Sequence, residues 1–310
     1  MSTIVVLAGG FSHERDVSIR SGRRVAVALR KAGHQVIESD VDADLLGTLQ
    51  RLDDPVVVPM LHGGLGEDGA LREVLDLFAI PYVGSDAASS RTTFDKSLAT
   101  PIVKAAGVRV PQQVVLPDDI FRELGAAALM AAIGEKIGFP LMVKPSRSGS
   151  ALGATKVSSA SELPAALVAA FAYGPNAIIE QFVSGTEIAV TIVDLGEGPV
   201  ALPAVEIRPT SGVYDYDSRY TAGATSFRTP ADLSDDARAA SEELALAAFT
   251  ALGQRHLSRI DLIVADDQPW FLEANVAPGM TETSLAPLAM AAAGLDLGEV
   301  FAGLVQRCRP

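Results

Sequence analysis

Apolar residues follow two alternating patterns over the first part of the chain. The segments TIVVLAGG, HQVIESDV, PVVVPMLHG and IPYVGSD are short apolar runs that predict strands, and helical apolar spacing over 17–32 and 70–78 predicts helices between them. Continuous β-branched runs separated by helices are typical of a parallel sheet covered on both faces. We therefore predict an N-terminal α/β domain over residues 1–93.

The pattern changes near residue 85, where one longer helix is predicted to run to residue 104. A second unit follows, with strands at PQQVVLP, PLMVKP, ATKVSS and AIIEQF and a helix over 121–137. Ser159 stands three residues before Glu162, a capping box that predicts the start of another helix. We expect a smaller α+β domain over residues 94–184.

From residue 185 onward the strands become longer and alternate, as in TEIAVTIVDL, PVALPAVEI, SRIDLIVAD and PWFLEANV. A helix with Ser234 as its N-cap ends near Gly253, and two further helices close the chain. The polar, tyrosine-containing segment 211–229 is long for a simple connection, and such loops often act as lids. We predict a third domain over residues 185–310 with a lid at 211–229.

Charge and cysteine content narrow the classes of function. The net charge is -13, which disfavours nucleic acid and anionic membranes as partners, because both attract basic surfaces. A single cysteine, Cys308, excludes an intrachain disulfide and a zinc site built on several cysteines. No apolar run reaches the ~18 residues of a membrane helix, and MSTIVVLAGG lacks the features of a signal peptide. We expect a cytoplasmic protein.

Two segments suggest a nucleotide. In LMVKPSRSGSALGATKV, Lys144 ends a strand before a loop of glycines and serines, whose amide and hydroxyl groups suit a polyphosphate. Taken alone, that loop is also compatible with a plain hairpin turn. In AIIEQFVSGTEIAV, Glu180 and Glu187 are either exposed strand-end carboxylates or part of a nucleoside site. In that site a hinge over residues 180–183 would offer its backbone to an adenine, and Glu187 would bind the ribose hydroxyls.

A third segment predicts a metal site. Arg259 and Asp261 lie two residues apart on one predicted strand, and Glu273 and Asn275 do so on the next. Alternation places each pair on one face of its strand. Two carboxylates and an amide oxygen would then converge, which is a ligand set that suits Mg²⁺. The alternative, a solvated sheet face, fits poorly with the apolar flanks of both strands.

These elements occur together and in order: V-K-P before a glycine–serine loop, E-x6-E, and R-x-D followed by E-x-N. The combination resembles the ATP-grasp superfamily. More narrowly, the segments LAGGFSHERDVSIRSG, LHGGLGEDG, VKPSRSGSALGATKV, YDYDSRY and RIDLIVADDQPWFLEANVAPGMTETSLAP resemble the D-alanine–D-alanine ligases. The match covers essentially the whole chain and implies a three-domain ATP-grasp architecture.

The resemblance also implies a role for each matching residue. ATP would be bound by Lys96, Lys144, Ser150, Glu180, Gln181, Phe182, Val183, Glu187 and Arg219. Two Mg²⁺ ions, replaceable by Mn²⁺, would be bound by Asp261, Glu273 and Asn275. The first D-alanine would lie near Glu14, Ser18 and His62, and the second near Ser284 and the backbone of Leu285. Arg259 and the Gly279 backbone would stabilise the oxyanion, while Ser150 and Tyr220 would link to Glu14.

Some of these residues have simpler interpretations when taken singly. His62 could be an ordinary strand-end histidine, and Glu14 could form a surface ion pair with Arg15. Two positions depart from the family pattern: Arg219 replaces the usual lysine before the lid tyrosine, and the metal strand ends in NVAPG where N-T-S-P-G is commoner. Arginine keeps the charge and can bind phosphate through two atoms, but it is not interchangeable with lysine. In the metal strand Asn275 and Gly279 are retained, so we expect altered tuning and retained function.

The implied reaction is the ATP-dependent ligation of two D-alanines, through an acyl phosphate, for peptidoglycan precursors. Relatives that use D-lactate carry a histidine in the lid where this chain has Tyr220, which is neutral at pH 7 because the ordinary pKa of tyrosine is about 10. This difference favours an amine nucleophile. The alternatives are a sister ligase that uses D-lactate or D-serine, an ATP-grasp ligase for another acid, and a catalytically silent nucleotide-binding module. A homodimer is also implied.

Overall fold

Three β-sheets organise the computed structural model, which describes residues 3–210, 212, 214, 221 and 223–308. Strand order is β2-β1-β3 in the first sheet, β4-β7-β5-β6 in the second and β11-β10-β8-β12-β13 in the third, where β9 also pairs with β8. The strands are β1 (Ile4–Leu7), β2 (Val36–Ser39), β3 (Val56–Pro59), β4 (Gln113–Pro117), β5 (Leu141–Pro145), β6 (Thr155–Val157), β7 (Asn176–Gln181), β8 (Thr186–Asp194), β9 (Pro199–Ala201), β10 (Val205–Pro209), β11 (Thr225–Arg228), β12 (Leu257–Ala265) and β13 (Gln268–Asn275).

Helices cover these sheets and form most of the connections between strands. They are α1 (Arg15–Lys31), α2 (Leu45–Arg51), α3 (Ala70–Leu77), α4 (Ala87–Phe94), α5 (Lys96–Ala105), α6 (Asp118–Leu124), α7 (Ala126–Ile137), α8 (Leu163–Phe171), α9 (Asp235–Ala251), α10 (Leu285–Ala292) and α11 (Leu297–Arg307), with a short 3-10 turn at Gly64–Gly66. In the described part of the chain no single helix is long and apolar enough to cross a membrane, and the one pair that reaches that length together, α10 with α11, is bent by 102°.

The first sheet is parallel, as the buried β-branched runs predict. Ile4 on β1 pairs with Val36 on β2 and with Val56 on β3, both in parallel register. The predicted strand at IPYVGSD is wrong: this segment forms only an isolated parallel bridge between Val57 and Tyr82. Pro81 lacks the N–H that a longer ladder needs, and the backbone turns away at Gly84, where φ is 109°.

Two helices predicted as continuous are each broken in the structure. The helix over 85–104 divides at Asp95, whose extended backbone interrupts α4 and whose side chain caps α5 by accepting from the N–H of Ser97 at 3.0 Å. The helix over 121–137 divides at Gly125, where φ is 89°. The apolar pattern continues across both breaks, so spacing alone does not reveal them.

Two further predictions are wrong in detail. Helix α8 begins at Leu163 with Glu162 itself at the N-cap, and no side-chain hydrogen bond caps it. Ser159 instead donates to the Glu162 carboxylate at 3.0 Å, so the capping box is shifted out of the helix. The segment PVALPAVEI forms two strands, β9 and β10, because Pro203 stands between them and cannot extend a ladder. By contrast, Ser234 caps α9 as predicted, accepting from the N–H of Ala237 at 3.1 Å.

Apolar packing joins segments that are distant in sequence. One core combines the first sheet and α1 with the C-terminal helices α10 and α11, and includes Ile4, Leu29, Met290 and Phe301. Another combines α5 with the third sheet and α9, and includes Val103. The second sheet has its own core with α8. These contacts hold the first and third sheets against each other, and they place the loops between them around a shared cleft.

A buried histidine forms part of this junction. The Nδ1 atom of His256 accepts a hydrogen bond from the N–H of Gly84 at 3.0 Å, and Arg255 donates to the Gly84 carbonyl at 2.7 Å. Because the bond requires an unprotonated Nδ1, the junction requires a neutral imidazole. Burial, with a smaller effect from Arg255, lowers the pKa of His256 to about 4.

We predict that the junction weakens in acid because of this histidine. The folded pKa of about 4 is below the ordinary value of 6.5, so folding is favoured above pH 6.5 and that contribution is lost as the pH falls toward 4. His256→Asn keeps an acceptor, tolerates the positive φ of 68° and does not titrate. The free energy of unfolding should decrease less between pH 7 and pH 4.5 for the variant than for the wild-type chain, by at most about 3 kcal/mol.

Replacement of the exposed His13 by asparagine is the matched control and should leave the acid loss unchanged. Identical pH profiles for His256→Asn and the wild-type chain would contradict this account.

Candidate active site

The β12–β13 hairpin supplies the charged centre of the site. Register pairs Arg259 with Asn275 and Asp261 with Glu273, so the four side chains share one face as their spacing predicts. The turn is tight, with positive φ at Asp266 and Asp267, residue types that tolerate this conformation. Arg259 and Asp261 are buried on this face, and Glu273 and Asn275 are partly buried, so the charges require opposite charges nearby.

Two ion pairs, one buried and one partly buried, provide that compensation. Arg259 binds the Asp261 carboxylate through two atoms, at 2.7 and 2.8 Å, and Lys96 lies 3.1 Å from Glu273. Burial by itself would lower the pKa of Arg259, but the Asp261 carboxylate keeps it above its ordinary value. The guanidinium therefore stays charged and fixed in direction.

Two cavities open beside this hairpin. The larger has a volume of about 660 Å³ and lies between the second and third sheets, and the smaller has a volume of about 180 Å³ and lies next to α1. The residues that line both are Lys96, Ser148, Tyr214 and Glu273. The cavities therefore meet at one lysine and one glutamate, where a group could pass from one bound molecule to another.

The larger cavity contains most of the residues predicted to bind a nucleotide. Its lining includes Lys96, Lys144, Glu180, Gln181, Phe182, Val183, Glu187 and Asp261. The Lys144 ammonium lies 2.6 Å from the buried Glu180 carboxylate, so these two residues form a pair and are not independent. Lys156, which sequence reasoning missed, lies 4.1 Å from the centre of the Phe182 ring and adds a cation to the wall. The volume lies in the range of small-molecule sites, ~300–1,000 Å³.

The smaller cavity contains the carboxylate of Glu14. The Ser150 hydroxyl donates to Glu14 Oε1, and Ser150 has a φ of 51°, a left-handed conformation that is uncommon for serine. Gly63 is required nearby, because a Cβ there would lie 2.7 Å from Glu14 Oε2 and its φ is 66°. The alternative of a Glu14–Arg15 ion pair is wrong: Arg15 instead pairs with Asp40 at 2.6 Å.

His62 is buried in the wall of the smaller cavity. Its Nδ1 lies 3.0 Å from the Ala277 carbonyl and its Nε2 lies 3.1 Å from the Ser21 hydroxyl. A carbonyl can only accept, so Nδ1 carries the proton and Nε2 accepts from Ser21, whose oxygen also accepts from the N–H of Met280 at 3.0 Å. Burial lowers the pKa of His62, so the ring is neutral. It holds the segment that contains Gly279.

Other predicted residues occupy different positions relative to the cavity. Gly279, Ser284 and Leu285 line it, and the Ser284 hydroxyl lies 2.8 Å from that of Thr281. Ser18 lies behind the wall: its hydroxyl donates to Met60 at 2.6 Å and accepts from Gly9 at 2.8 Å. Ser150 borders the smaller cavity and not the larger one. Arg219 and Tyr220 lie outside the described residues.

Sequence reasoning missed a second carboxylate in the smaller cavity. Glu67 is buried there, and its Oε1 accepts from the N–H of Gly63 at 2.7 Å. Burial, followed by repulsion from Glu14, raises the pKa of Glu67 to about 7. The LHGGLGEDG motif contained this residue, but an acidic side chain next to glycines gives no local signal of burial.

Two antiparallel sheets around a nucleotide-sized cavity, next to a hairpin with R-x-D and E-x-N, define an ATP-grasp enzyme. A family model described as D-ala D-ala ligase C-terminus matches residues 102–306. The D-alanine–D-alanine ligase of Fervidobacterium nodosum is 38% identical over 98% of this chain and 98% of its own length, and that of Desulforamulus reducens is 38% identical over 98% and 97%. The chain belongs to the D-alanine–D-alanine ligase family.

Solved structures agree over the whole length. The D-alanine–D-alanine ligase of Bacillus anthracis, crystallised with ATP, has 28% identity and a TM-score of 0.82, covering 99% of this chain and 97% of that one. The VanG D-Ala:D-Ser ligase of Enterococcus faecalis has 28% identity and a TM-score of 0.85, covering 99% of both chains. The fold is thus shared by ligases with different second amino acids.

We predict that Glu67 lowers stability as the pH rises. The folded carboxyl keeps its proton up to about pH 7 while the unfolded one loses it near 4.5, so stability falls with rising pH across this window. Glu67→Gln removes the titration and keeps the side-chain length. As the pH rises from 4.5 to 8, the free energy of unfolding of the variant should increase relative to that of the wild-type chain by on the order of 2 kcal/mol.

Thermal unfolding across this pH range measures the difference. Glu123→Gln, at an exposed position on α6, is the control that should show no such gain. Parallel melting curves for Glu67→Gln and the wild-type chain at every pH would contradict the raised pKa.

Proposed function

We propose that the chain ligates two D-alanines to D-alanyl-D-alanine at the expense of ATP, for peptidoglycan precursors. The observation that carries this proposal is the meeting of the two cavities at Lys96 and Glu273. A nucleotide in the larger cavity would direct its terminal phosphate toward an amino acid in the smaller one. Family membership supplies the identity of both substrates.

In the first step, the carboxylate of the first D-alanine attacks the terminal phosphorus of ATP. The bond between the β- and γ-phosphates breaks, ADP leaves, and an acyl phosphate forms. Glu14 would receive the substrate ammonium, because it is the carboxylate that Ser150 holds at the cavity surface. Lys96 and Lys144 would compensate the phosphate charge, and Glu273 and Glu180 keep both ammonium groups in place until ATP binds.

In the second step, the free amine of the second D-alanine attacks the acyl carbon. A tetrahedral oxyanion forms and collapses as the C–O bond to the phosphate breaks, and the leaving phosphate carries away the proton that the attacking amine loses. Arg259 lines the smaller cavity and remains charged through its contact with Asp261, so it would stabilise the oxyanion together with the Gly279 backbone. Ser284 and Leu285 would bind the carboxylate of the second substrate at the start of α10.

The hairpin residues also fit Mg²⁺. The described ranges contain no group of three or more His, Cys, Asp or Glu side chains that could hold a metal by themselves. The hairpin face offers two carboxylates, Asp261 and Glu273, and the amide oxygen of Asn275. The Asn275 oxygen already accepts from the N–H of Ala277 at 2.8 Å and retains one lone pair. Mg²⁺ is usually bound by one or two carboxylates together with substrate phosphates. When bound, two ions would neutralise the charge of the transferring phosphoryl group, and Mn²⁺ could substitute.

We also propose the predicted arrangement of the molecule. It comprises three domains over residues 1–93, 94–184 and 185–310, a lid at 211–229, and a homodimer working in the cytoplasm where ATP is available. The end of the lid segment is not a loop, since Thr225–Arg228 forms β11. The separate cores of the first and second sheets support the domains in part, although α5 packs with the third sheet across the boundary at 184. Light scattering of the purified chain tests the dimer.

A product assay tests the function. Purified protein with ATP, Mg²⁺ and D-alanine should release phosphate and yield D-alanyl-D-alanine by mass spectrometry. The likeness to the VanG D-Ala:D-Ser ligase favours D-serine as the second candidate acceptor, so D-serine and D-lactate are supplied in competition at pH 7. We expect D-alanine to dominate. If most of the product is D-alanyl-D-serine or D-alanyl-D-lactate, the chain is the corresponding sister ligase. Phosphate release that does not depend on D-alanine would overturn the proposal.

A second measurement tests the metal ligands. Glu273→Gln removes a charged ligand and retains the shape, so the Mg²⁺ concentration for half-maximal activity should rise by about tenfold or more. Titration of Mn²⁺ into protein with a non-hydrolysable ATP analogue provides a readout independent of turnover. Glu243→Gln, exposed on α9, should match the wild-type chain in both measurements. Unchanged metal affinity of Glu273→Gln would contradict the assignment.

A further inference from the structure

Three cationic side chains line the smaller cavity, and they differ in how they are compensated. Lys96 pairs with Glu273, and Arg259 pairs with Asp261. Arg20 stands exposed at the rim of the cavity, and within the described residues it makes no hydrogen bond and no ion pair. An arginine at the edge of a ligand cavity with no carboxylate of its own is available to a ligand.

The face of α1 on which Arg20 lies is fixed by its helical neighbours. Val17 lies one turn before it, with Cγ1 4.0 Å from the position that a Cβ on Gly279 would occupy. Arg24 lies one turn after it and donates to the carbonyls of Met280 and Thr281 at 3.0 and 2.8 Å. Residues three and four apart share a helix face. Arg20 therefore faces the segment 279–284, which forms the far wall of the cavity.

The charges in the cavity define which end of a substrate Arg20 would meet. The carboxylate of Glu14, which is predicted to receive the ammonium of the first amino acid, lines the cavity together with that of Glu67. Ser284, which is predicted to bind the second amino acid, is hydrogen-bonded to Thr281, and the first amides of α10 supply only a partial positive charge. The second amino acid carries a carboxylate that does not react, and a full positive charge there would bind it more strongly than amides alone.

We propose that Arg20 binds the carboxylate of the second amino acid and so selects acceptors with a free carboxylate. The inference rests on the proposed ligase function and adds a specificity-determining residue to it. Without Arg20, the acceptor site would still have Ser284 and the α10 amides. The variant should therefore still ligate but lose preference for acceptors that carry a carboxylate.

The experiment compares two acceptors that differ only in that carboxylate. Wild-type chain, Arg20→Gln, Arg20→Lys and Arg23→Gln receive ATP, Mg²⁺ and D-alanine together with D-alaninamide. Mass spectrometry measures the ratio of D-alanyl-D-alanine to D-alanyl-D-alaninamide. Arg20→Gln should shift this ratio toward the amide by about three- to tenfold, a range suited to a charged contact at a partly exposed site. Arg20→Lys should shift it less, because the charge remains.

Arg23→Gln is the matched control, since it removes an equal charge from an exposed neighbouring position that does not line the cavity. It should leave the ratio unchanged, and thermal melts should show that both glutamine variants are folded. An unchanged ratio for Arg20→Gln, or an equal shift for Arg23→Gln, overturns the inference while the ligase function stands. Failure of the wild-type chain to form any dipeptide overturns the proposed function and the inference with it.

Discussion

A buried lysine connects the parts of this molecule that must act together. Lys96 is the first residue of α5, its ammonium donates to the Ser148 carbonyl at 2.8 Å, and it lies 3.1 Å from Glu273 on β13. One side chain thus joins a helix, the glycine–serine loop of the second sheet and the hairpin of the third. A buried ammonium is unfavourable without a partner. If these three elements separated, the charge of Lys96 would therefore be left unpaired or would have to move into solvent.

The same constraint shapes the whole hairpin face. Arg259 and Asp261 compensate each other at 2.7 Å, as Lys144 and Glu180 do at 2.6 Å in the neighbouring cavity. Removing one partner from such a pair typically destabilises a protein by about 3–5 kcal/mol. A site that binds polyphosphate needs cationic side chains, and when no polyphosphate is bound their charge must be compensated by other groups. The acidic partners meet this need and also provide oxygen ligands for Mg²⁺.

The smaller cavity shows how a neutral scaffold supports a charged site. His62, Ser21 and Met280 form a hydrogen-bonded chain that connects the loop after β3, α1 and the segment before α10. Its neutrality depends on burial, which lowers the pKa of the imidazole. Glu67 adds a carboxyl whose pKa is raised to about 7, so Glu14 and Glu67 do not both carry a full negative charge at neutral pH. The pocket is therefore polar on both sides without a large internal repulsion.

The sequence by itself determined most of the segments that form strands, the parallel order of the first sheet, and which four residues of the hairpin share a face. Each of these follows from the local period of a strand or helix and from runs of β-branched residues, so neighbours along the chain are sufficient. The roles given to Glu14, His62 and Ser150 came from whole-chain resemblance, and the structure brings all three to one cavity. Breaks at Asp95 and Gly125 were missed because apolar spacing continues through them.

Only the tertiary structure decided the burial of Glu67, the inward position of Ser18 and the place of Arg20 at the rim. These properties depend on groups far away in sequence: Glu67 on Glu14, Ser18 on Met60, and Arg20 on the segment 279–284. A serine or glutamate has the same local propensity whether it faces water, a strand end or a ligand cavity. Desolvation and charge pairing give each side chain its chemistry, and both are set by packing between segments that are distant in sequence, such as α1 against residues more than two hundred positions later.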